Sequence, residues 1–350
     1  MSRVYKGYFD IEHMINTAVK EHICFVIAVS ADSQRGAGKT YSTAKFLYNH
    51  YIEKGEKFMI FVRHVKELGN IAQGIFGNFL LDNYPDVSVY EKKQDNVFSY
   101  IYATSGKGEE KTTEIIGYVV PLKNAPGVKQ YRGIFQNNVR YFYMDEFMPL
   151  DGRYLPNETR LMKTIYDTVN GQLLDLPIIL TANCLSLGNP YFTMLKLNGK
   201  LQSSTKKLKT ETCVYENITV EGLEEKHLNS AANKAFGQTD DEYVSNMWIM
   251  DNNSLVCKPD GWGRAIYICT LLYDGKQYGV HAYYGSTYYY ISNTVDKHCD
   301  YVYNVKMDGD LNIPLLRSAP FLKQLRDNFY RGNVRVSTGE IQRMLIEIFG

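Results

Sequence analysis

Apolar residues recur along this chain in two rhythms. Residues 1–22 place Ile11, Met14, Ile15 and Ala18 on one face, which predicts a short amphipathic helix. "ICFVIAV", Ile23 to Val29, is instead a continuous apolar run of strand length, suited to a strand buried on both faces of a parallel sheet. A glycine-rich turn follows. "TYSTAKFLYNHYIEKGE" then predicts a helix stopped by Gly55, and "KFMIFVR", Lys57 to Arg63, a second buried strand. Strand, helix and strand at this spacing make a βαβ unit. Residues 88–120 alternate as a β-meander or hairpin insertion would. "NVRYFYM", Asn138 to Met144, predicts a third buried strand ending in Asp145-Glu146, and "LPIILTAN", Leu176 to Asn183, a fourth with a polar tip.

The pattern weakens after about residue 196. "KLNGKLQSSTKKLK" is basic, and residues 220–248 are polar and helix-prone without a strong apolar stripe, as expected of a linker or lid. From Trp248 onward short alternating strands are broken by "PDGWG", "YDGKQYG" and "YYGS". Two helices close the chain, the last opening at a Ser337/Thr338 cap. The predicted organisation is an α/β domain with a mainly parallel sheet over 1–219, a linker over 220–248 and a smaller α+β domain over 249–350.

Composition narrows the setting. A chain of 350 residues can bury two cores, and 45% apolar with 22% charged residues is ordinary for a soluble globular protein. The net charge of +1 leaves nucleic-acid contact to local patches rather than a global basic field. Six cysteines, Cys24, Cys184, Cys213, Cys257, Cys269 and Cys299, show no zinc-like spacing and are expected to be reduced thiols. No apolar run has the length of a membrane span and no signal pattern opens the chain, so a soluble, cytoplasmic protein is expected.

Chemistry enters at "SADSQRGAGKTYS", Ser30 to Ser42. "GAGKT" matches the end of the phosphate-loop signature, with Ser33 where the first glycine would stand. Ser33, Gln34, Arg35, Gly36, Ala37, Gly38, Lys39 and Thr40 are therefore the candidate nucleotide-binding residues. Gly36 and Gly38 permit close approach of backbone N–H groups, Lys39 would reach the β- and γ-phosphates, and Thr40 would ligate Mg²⁺. ATP hydrolysis at such a loop needs a carboxylate on the metal and another near the attacking water. "YFYMDEF" supplies Asp145 for the first and Glu146 for the second. Asn183, at a third strand tip, could sense the γ-phosphate or the water, or simply cap a loop. Polar groups at three strand ends follow the rule that α/β sheets bind ligands there. These features predict an ATPase of the additional-strand, catalytic-glutamate P-loop class, with ATP and Mg²⁺ as cofactors.

In this order, "FVIAVSADSQRGAGKT", "FVRHVKEL", "YMDEF", "LPNE…YDTV" and "LGNPYF" resemble the DNA-packaging motor ATPases of small short-tailed bacteriophages of the Picovirinae type. The resemblance covers about residues 23–195 and continues, more weakly, to the end. It implies a terminase-like ATPase acting as a homomeric ring, expected to be a pentamer, at the portal vertex of a prohead, driving double-stranded DNA inward. It implies as well an RNase H-like C-terminal domain that has lost its nuclease site. A packaging RNA is a further candidate partner. Lys39 and Thr40 match the family's phosphate-loop pair, Asp145 its Walker B aspartate, Glu146 its catalytic glutamate and Asn183 its coupling motif. Arg63 and Lys66 match a basic pair near the subunit interface, and Arg132 a basic position ahead of Walker B.

One departure stands out. Where the family's arginine finger follows the "DTV" helix, this chain reads "DTVNGQ" with Gly171. Arg153, in "PLDGRYLPNE", is the expected substitute, with Arg132 second. Lys123 and Lys129 bound a candidate DNA-contact segment. Lys196, Lys200, Lys206, Lys207 and Lys209 could face phosphates, although a solvated loop is the plainer expectation. Asp274, Asp296 and Asp300 fall in turns, so no nuclease activity is expected, and the tyrosine-rich strands read as aromatic packing before base stacking. A different nucleic-acid-dependent ATPase, such as a viral helicase, and a non-motor portal or RNA-binding adaptor are the competing readings.

Overall fold

The computed structural model describes residues 5–349 except 32–33, 107–110, 137, 150–152, 172–174, 185, 198–199, 202–204, 231–254, 274, 286–287, 306–311 and 317–320. The chain divides into two compact units: one comprises 1–185 and 201–248, the other 186–200 and 249–350. Residues 186–200 thus group with the second unit, although sequence continuity assigned them to the first domain. The apolar strand run ends at Asn183, and the buried aromatics Tyr191 and Phe192 come only after a turn capped by Asn189.

In the first unit the helices are α1 (Glu12–Lys20), α2 (Lys39–Lys54), α3 (Ile71–Asn83), α4 (Ala125–Val128), α5 (Arg132–Phe135) and α6 (Glu158–Asn170). Helix α8 (Leu223–Leu228) follows α7 (Pro190–Met194) in the chain. The strands are β1 (Phe25–Ser30), β2 (Lys57–Val62), β3 (Ser88–Gln94), β4 (Phe98–Ser105), β5 (Thr112–Pro121), β6 (Val139–Asp145), β7 (Ile178–Asn183), β8 (Lys207–Lys209) and β9 (Cys213–Ile218).

These nine strands form one sheet in the order β3-β4-β5-β2-β6-β7-β1-β9-β8. The pairs from β5 through β9 are parallel, and the outer β3, β4 and β8 attach antiparallel. The alternating region 88–120 is therefore an extension of the main sheet, because β5 pairs in parallel with β2. β7 lies between the phosphate-loop strand β1 and β6. That insertion brings distant residues side by side: Ser30 pairs with Asn183, and Asp145 with Thr181. Five of six residues in each of β1, β2 and β7 are buried, as their unbroken apolar runs require. Helices α1, α2 and α3 pack into one core with Val26, Ala28, Phe58 and Ile60.

The basic stretch expected as a loop contains β8, a three-residue edge strand reading Lys-Leu-Lys. Its brevity and its charges blunt the open edge of the sheet.

The second unit holds β10 (Ala265–Tyr273), β11 (Lys276–Tyr283), β12 (Tyr289–Ser292), β13 (Val302–Asn304) and β14 (Val334–Val336), with α9 (Leu322–Tyr330) and α10 (Gly339–Phe349). The sheet order is β13-β10-β11-β12-β14; β10, β11 and β12 are antiparallel, and a parallel strand flanks each side. Cys269, Leu271, Val280, Ile291, Leu325 and Leu345 form its core. Tyr278, Tyr290 and Tyr303 are buried, and Trp262 stacks on Tyr288 with ring centroids 5.1 Å apart, so these aromatics are packing elements.

Candidate nucleotide site

The loop between β1 and α2 turns on two glycines in the left-handed region, Gly36 at φ 78° and Gly38 at φ 97°. Gly38 precedes the first residue of α2, and no side chain caps the helix. The N-terminal amides of a helix have no partner within it, and the helix dipole adds a partial positive charge, so an anion is favoured here. Lys39 opens the helix and is buried. Its Nζ donates to Ser30 Oγ at the tip of β1, and to Asn183 Oδ1 at the tip of β7 at 3.1 Å.

Thr40 and Asp145 meet across the mouth of the sheet, Thr40 Oγ1 donating to Asp145 Oδ2 at 2.8 Å. The other carboxylate oxygen, Oδ1, accepts from Thr181 Oγ1 at 2.6 Å and from the Glu146 amide at 3.0 Å. Thr181 in turn lies 3.0 Å from the hydroxyl of Tyr143. Tyr143 is fully buried, and burial reinforced by the charge of Asp145 drives its phenol well above the ordinary value, keeping it neutral. Oδ1 is thereby tied down while Oδ2 faces Thr40.

Glu146 is exposed and left-handed, with φ 49°. For a residue with a Cβ that backbone costs about 1–3 kcal/mol and persists only where its surroundings impose it. Arg63 supplies the restraint. Its Nη1 donates to the Glu146 carbonyl at 3.1 Å, its Nη2 to the Phe147 carbonyl at 2.6 Å, and its Nε to Glu158 Oε2 at 3.1 Å. Glu158 is buried at the start of α6 and also accepts the Leu155 amide at 2.8 Å. Arg63, expected near a subunit interface, makes these bonds within its own chain, because β2 ends beside β6.

One cavity of about 560 Å³ collects these groups. Its lining includes Arg35, Gly36, Ala37, Gly38, Lys39 and Thr40 from the loop, Asp145 and Glu146 from the end of β6, and Asn183 from β7. Thr40 Oγ1 and Asp145 Oδ2 are hard oxygen donors 2.8 Å apart, a donor set that suits Mg²⁺.

The remaining predicted residues divide. Ser33 lies outside the described residues. Gln34 is buried and turned from the cavity; its Oε1 accepts the Val220 amide at 2.8 Å. Arg153, Arg132, Lys66, Lys123 and Lys129 are exposed. Arg132 and Lys129 line a separate groove with Gln136, Thr164, Asp167 and Thr168, and neither Arg153 nor Arg132 lines the nucleotide cavity of its own chain. Gly171 ends α6 at φ 58°, and a Cβ there would meet the Gln136 side chain at 3.2 Å, so an arginine would be strained at this position. Lys206, Lys207 and Lys209 have partners within the chain: Thr219 Oγ1 at 3.3 Å, Glu216 at 3.0 Å and Glu21 at 2.8 Å. Lys196 and Lys200 are exposed.

None of the six cysteines forms a disulfide; burial pushes Cys24 up to about 11 and Cys213 and Cys269 to about 12, leaving them as inert thiols. Asp296 and Asp300 sit exposed after β12, Asp274 lies outside the described residues, and no cluster of three metal-ligating side chains occurs among the described residues. No helix among them is long and apolar enough to cross a membrane.

Sequence reading missed Ser30, Thr181 and Tyr143. The available signal was a polar atom inside or closing an apolar strand, and only strand order shows what each one touches.

A phosphate loop on β1, an inserted strand, and an aspartate–glutamate pair at the end of β6 define a P-loop ATPase fold of the additional-strand class. The family described as Podovirus DNA encapsidation protein (Gp16) matches residues 8–350, and the chain belongs to it. The DNA packaging protein of Bacillus phage phi29 is 24% identical over 329 residues, 90% of this chain and 91% of that protein. Among solved structures, a chain of the bacteriophage phi29 viral genome packaging motor assembly superposes with a TM-score of 0.60 at 19% identity, covering 98% of this chain and 99% of that one. A chain of the Phi-28 gp11 DNA packaging motor gives 0.59 at 16%, covering 99% and 98%.

Proposed function

We propose that this chain is an ATP-driven translocase that moves double-stranded DNA into an empty phage prohead, working in the host cytoplasm as a homomeric ring, a pentamer, at the portal vertex. Membership of a DNA encapsidation family supports the substrate. The observation that carries the ATPase assignment is the convergence of Lys39, Thr40, Asp145 and Asn183 at neighbouring strand ends around one cavity.

In this reading the amides at the start of α2 and the ammonium of Lys39 bind the β- and γ-phosphates. Thr40 and Asp145 hold Mg²⁺, which when bound offsets phosphate charge. Glu146 takes the proton of the attacking water. Asn183, bonded to Lys39, would register the loss of the γ-phosphate at the tip of β7. Arg153 of a neighbouring subunit, or Arg132, would supply the missing cation. Lys66 is kept as an interface residue, and Lys123 and Lys129 as DNA contacts. A packaging RNA remains a candidate mediator of docking, and the proposal includes no nuclease step.

The test is ATP turnover by the purified protein with double- or single-stranded DNA, alongside Glu146→Gln. Stimulation by intact duplex is expected, with Glu146→Gln binding ATP but turning over at least ~100-fold more slowly. Proheads supplied with protein, DNA and ATP should then protect DNA from nuclease. Near-normal turnover in Glu146→Gln would remove its assigned role, and strand unwinding without packaging would favour a helicase.

A further inference from the structure

Tyr8 and Leu81 are among the most exposed large apolar side chains of the described residues, 75% and 71% accessible, yet they line the same cavity as the phosphate loop. They reach it from separate elements. Tyr8 belongs to the segment before α1, whose Phe9 amide donates to the Ala37 carbonyl at 2.9 Å. That bond holds the segment on the loop so closely that a Cβ on Gly38 would meet the Tyr8 Cβ at 3.2 Å. Leu81 stands on α3 with Asn78 and Asp82, which line the cavity too. Tyr41 completes this group; its ring lies nearly parallel to that of Tyr8, with centroids 6.4 Å apart, and its hydroxyl accepts from Asn83 Nδ2 at 3.0 Å.

The cavity lining therefore combines two chemistries. One part, Lys39, Thr40 and Asp145, offers an ammonium and hard oxygen donors. The other presents an aromatic face, an aliphatic face and two polar side chains, all solvated without a ligand. Leaving large apolar groups in water is unfavourable, and a flat heteroaromatic ring offers the matching surface.

We infer that Tyr8 and Leu81 clasp the purine base of the nucleoside triphosphate, with Asn78 and Asp82 bonding to its polar edge. The inference rests on the phosphate-loop assignment above and names the other half of that site. The base lies along Tyr8, the triphosphate runs to Lys39, and the segment before α1 becomes part of the nucleotide pocket. A volume of about 560 Å³ lies within the range of small-ligand sites, roughly 300–1,000 Å³.

The experiment measures binding of Mg²⁺–ATP and of Mg²⁺–tripolyphosphate, which has no base, to the full chain by calorimetry. Wild type, Tyr8→Ala, Tyr8→Phe, Leu81→Ser and Lys39→Ala are compared. Tyr8→Ala and Leu81→Ser should each weaken ATP about tenfold and leave tripolyphosphate unchanged, with Tyr8→Phe restoring ATP affinity. Lys39→Ala should weaken both ligands. Equal ATP binding by Tyr8→Ala and wild type would overturn the base clasp and leave the phosphate site standing. Equal loss of both ligands in Tyr8→Ala would also overturn it, making Tyr8 a prop for the loop. Wild type binding neither ligand would instead remove the phosphate-loop assignment itself.

Discussion

Arg63 holds the backbone of Glu146 in place: its guanidinium donates to the Glu146 carbonyl at 3.1 Å while pairing with the buried carboxylate of Glu158. The residue expected to activate water thus sits in a strained backbone conformation whose restraint comes from a neighbouring strand.

Removing that restraint should cost both stability and rate. Glu158 is fully buried, so Arg63→Ala leaves an uncompensated charge, a loss of ~3–5 kcal/mol for buried pairs. Arg63→Lys keeps a charge but loses the fork that spans two carbonyls and a carboxylate. For Arg63→Lys, kcat should fall more than ATP affinity, read by steady-state kinetics beside thermal melting. An unchanged kcat would show that Glu146 does not depend on the clamp.

Thr181 positions Asp145 rather than touching nucleotide. Thr181→Val removes the 2.6 Å bond to Oδ1, and hydrogen bonds to charged groups contribute about 1.5–3 kcal/mol. The carboxylate should then rotate, raising the Mg²⁺ concentration needed for half-maximal turnover several-fold. Thr181→Ser, which keeps the hydroxyl, should restore the wild-type requirement.

Acid should loosen the segment before α1. Burial pushes the Glu216 carboxyl up, but hydrogen bonds from His13, Tyr5 and Lys207 outweigh it and hold the group below its ordinary value of 4.5. A carboxylate lowered in the folded state stabilises fully above its unfolded value, and that contribution disappears as pH falls through the folded one. Melting temperature should therefore drop below about pH 4.5 more steeply in wild type than in Glu216→Gln. Parallel curves would show that Glu216 carries none of the acid sensitivity.

A trans-acting arginine makes a prediction about mixtures. Arg153 is exposed on the segment joining β6 to α6 and does not line its own cavity. If it serves a neighbour, Arg153→Ala and Lys39→Ala subunits, each inactive alone, should regain turnover when mixed. An arginine finger contributes ~10³–10⁵ in rate, so even partial recovery would be measurable. Failure at every ratio would return the role to Arg132, tested the same way.

Much of the site was legible because its chemistry lies in short contiguous runs. "GAGKT" needs glycines at positions that a backbone turn demands, and "YFYMDEF" joins an apolar strand to two carboxylates. The lysines of β8 were less legible, because an edge strand of three residues leaves no periodic signal, and their partners Glu216 and Glu21 lie elsewhere in the sequence. The bonds made by Arg63 were hidden for a related reason: its partners Glu146, Phe147 and Glu158 come from other parts of the chain, and only strand order brings them together.

By itself the sequence determined the buried strands, the phosphate loop and the acidic pair, since each depends on local periodicity or on a turn that only certain residues permit. Tertiary structure alone decided that β7 enters between β1 and β6, and so that Thr181 ties Asp145 and Asn183 receives Lys39. It alone set Tyr8 and Leu81 in the lining of the same cavity. The physical reason is that strand order and helix placement follow from burying apolar faces across the whole unit, and no local run of residues contains that information.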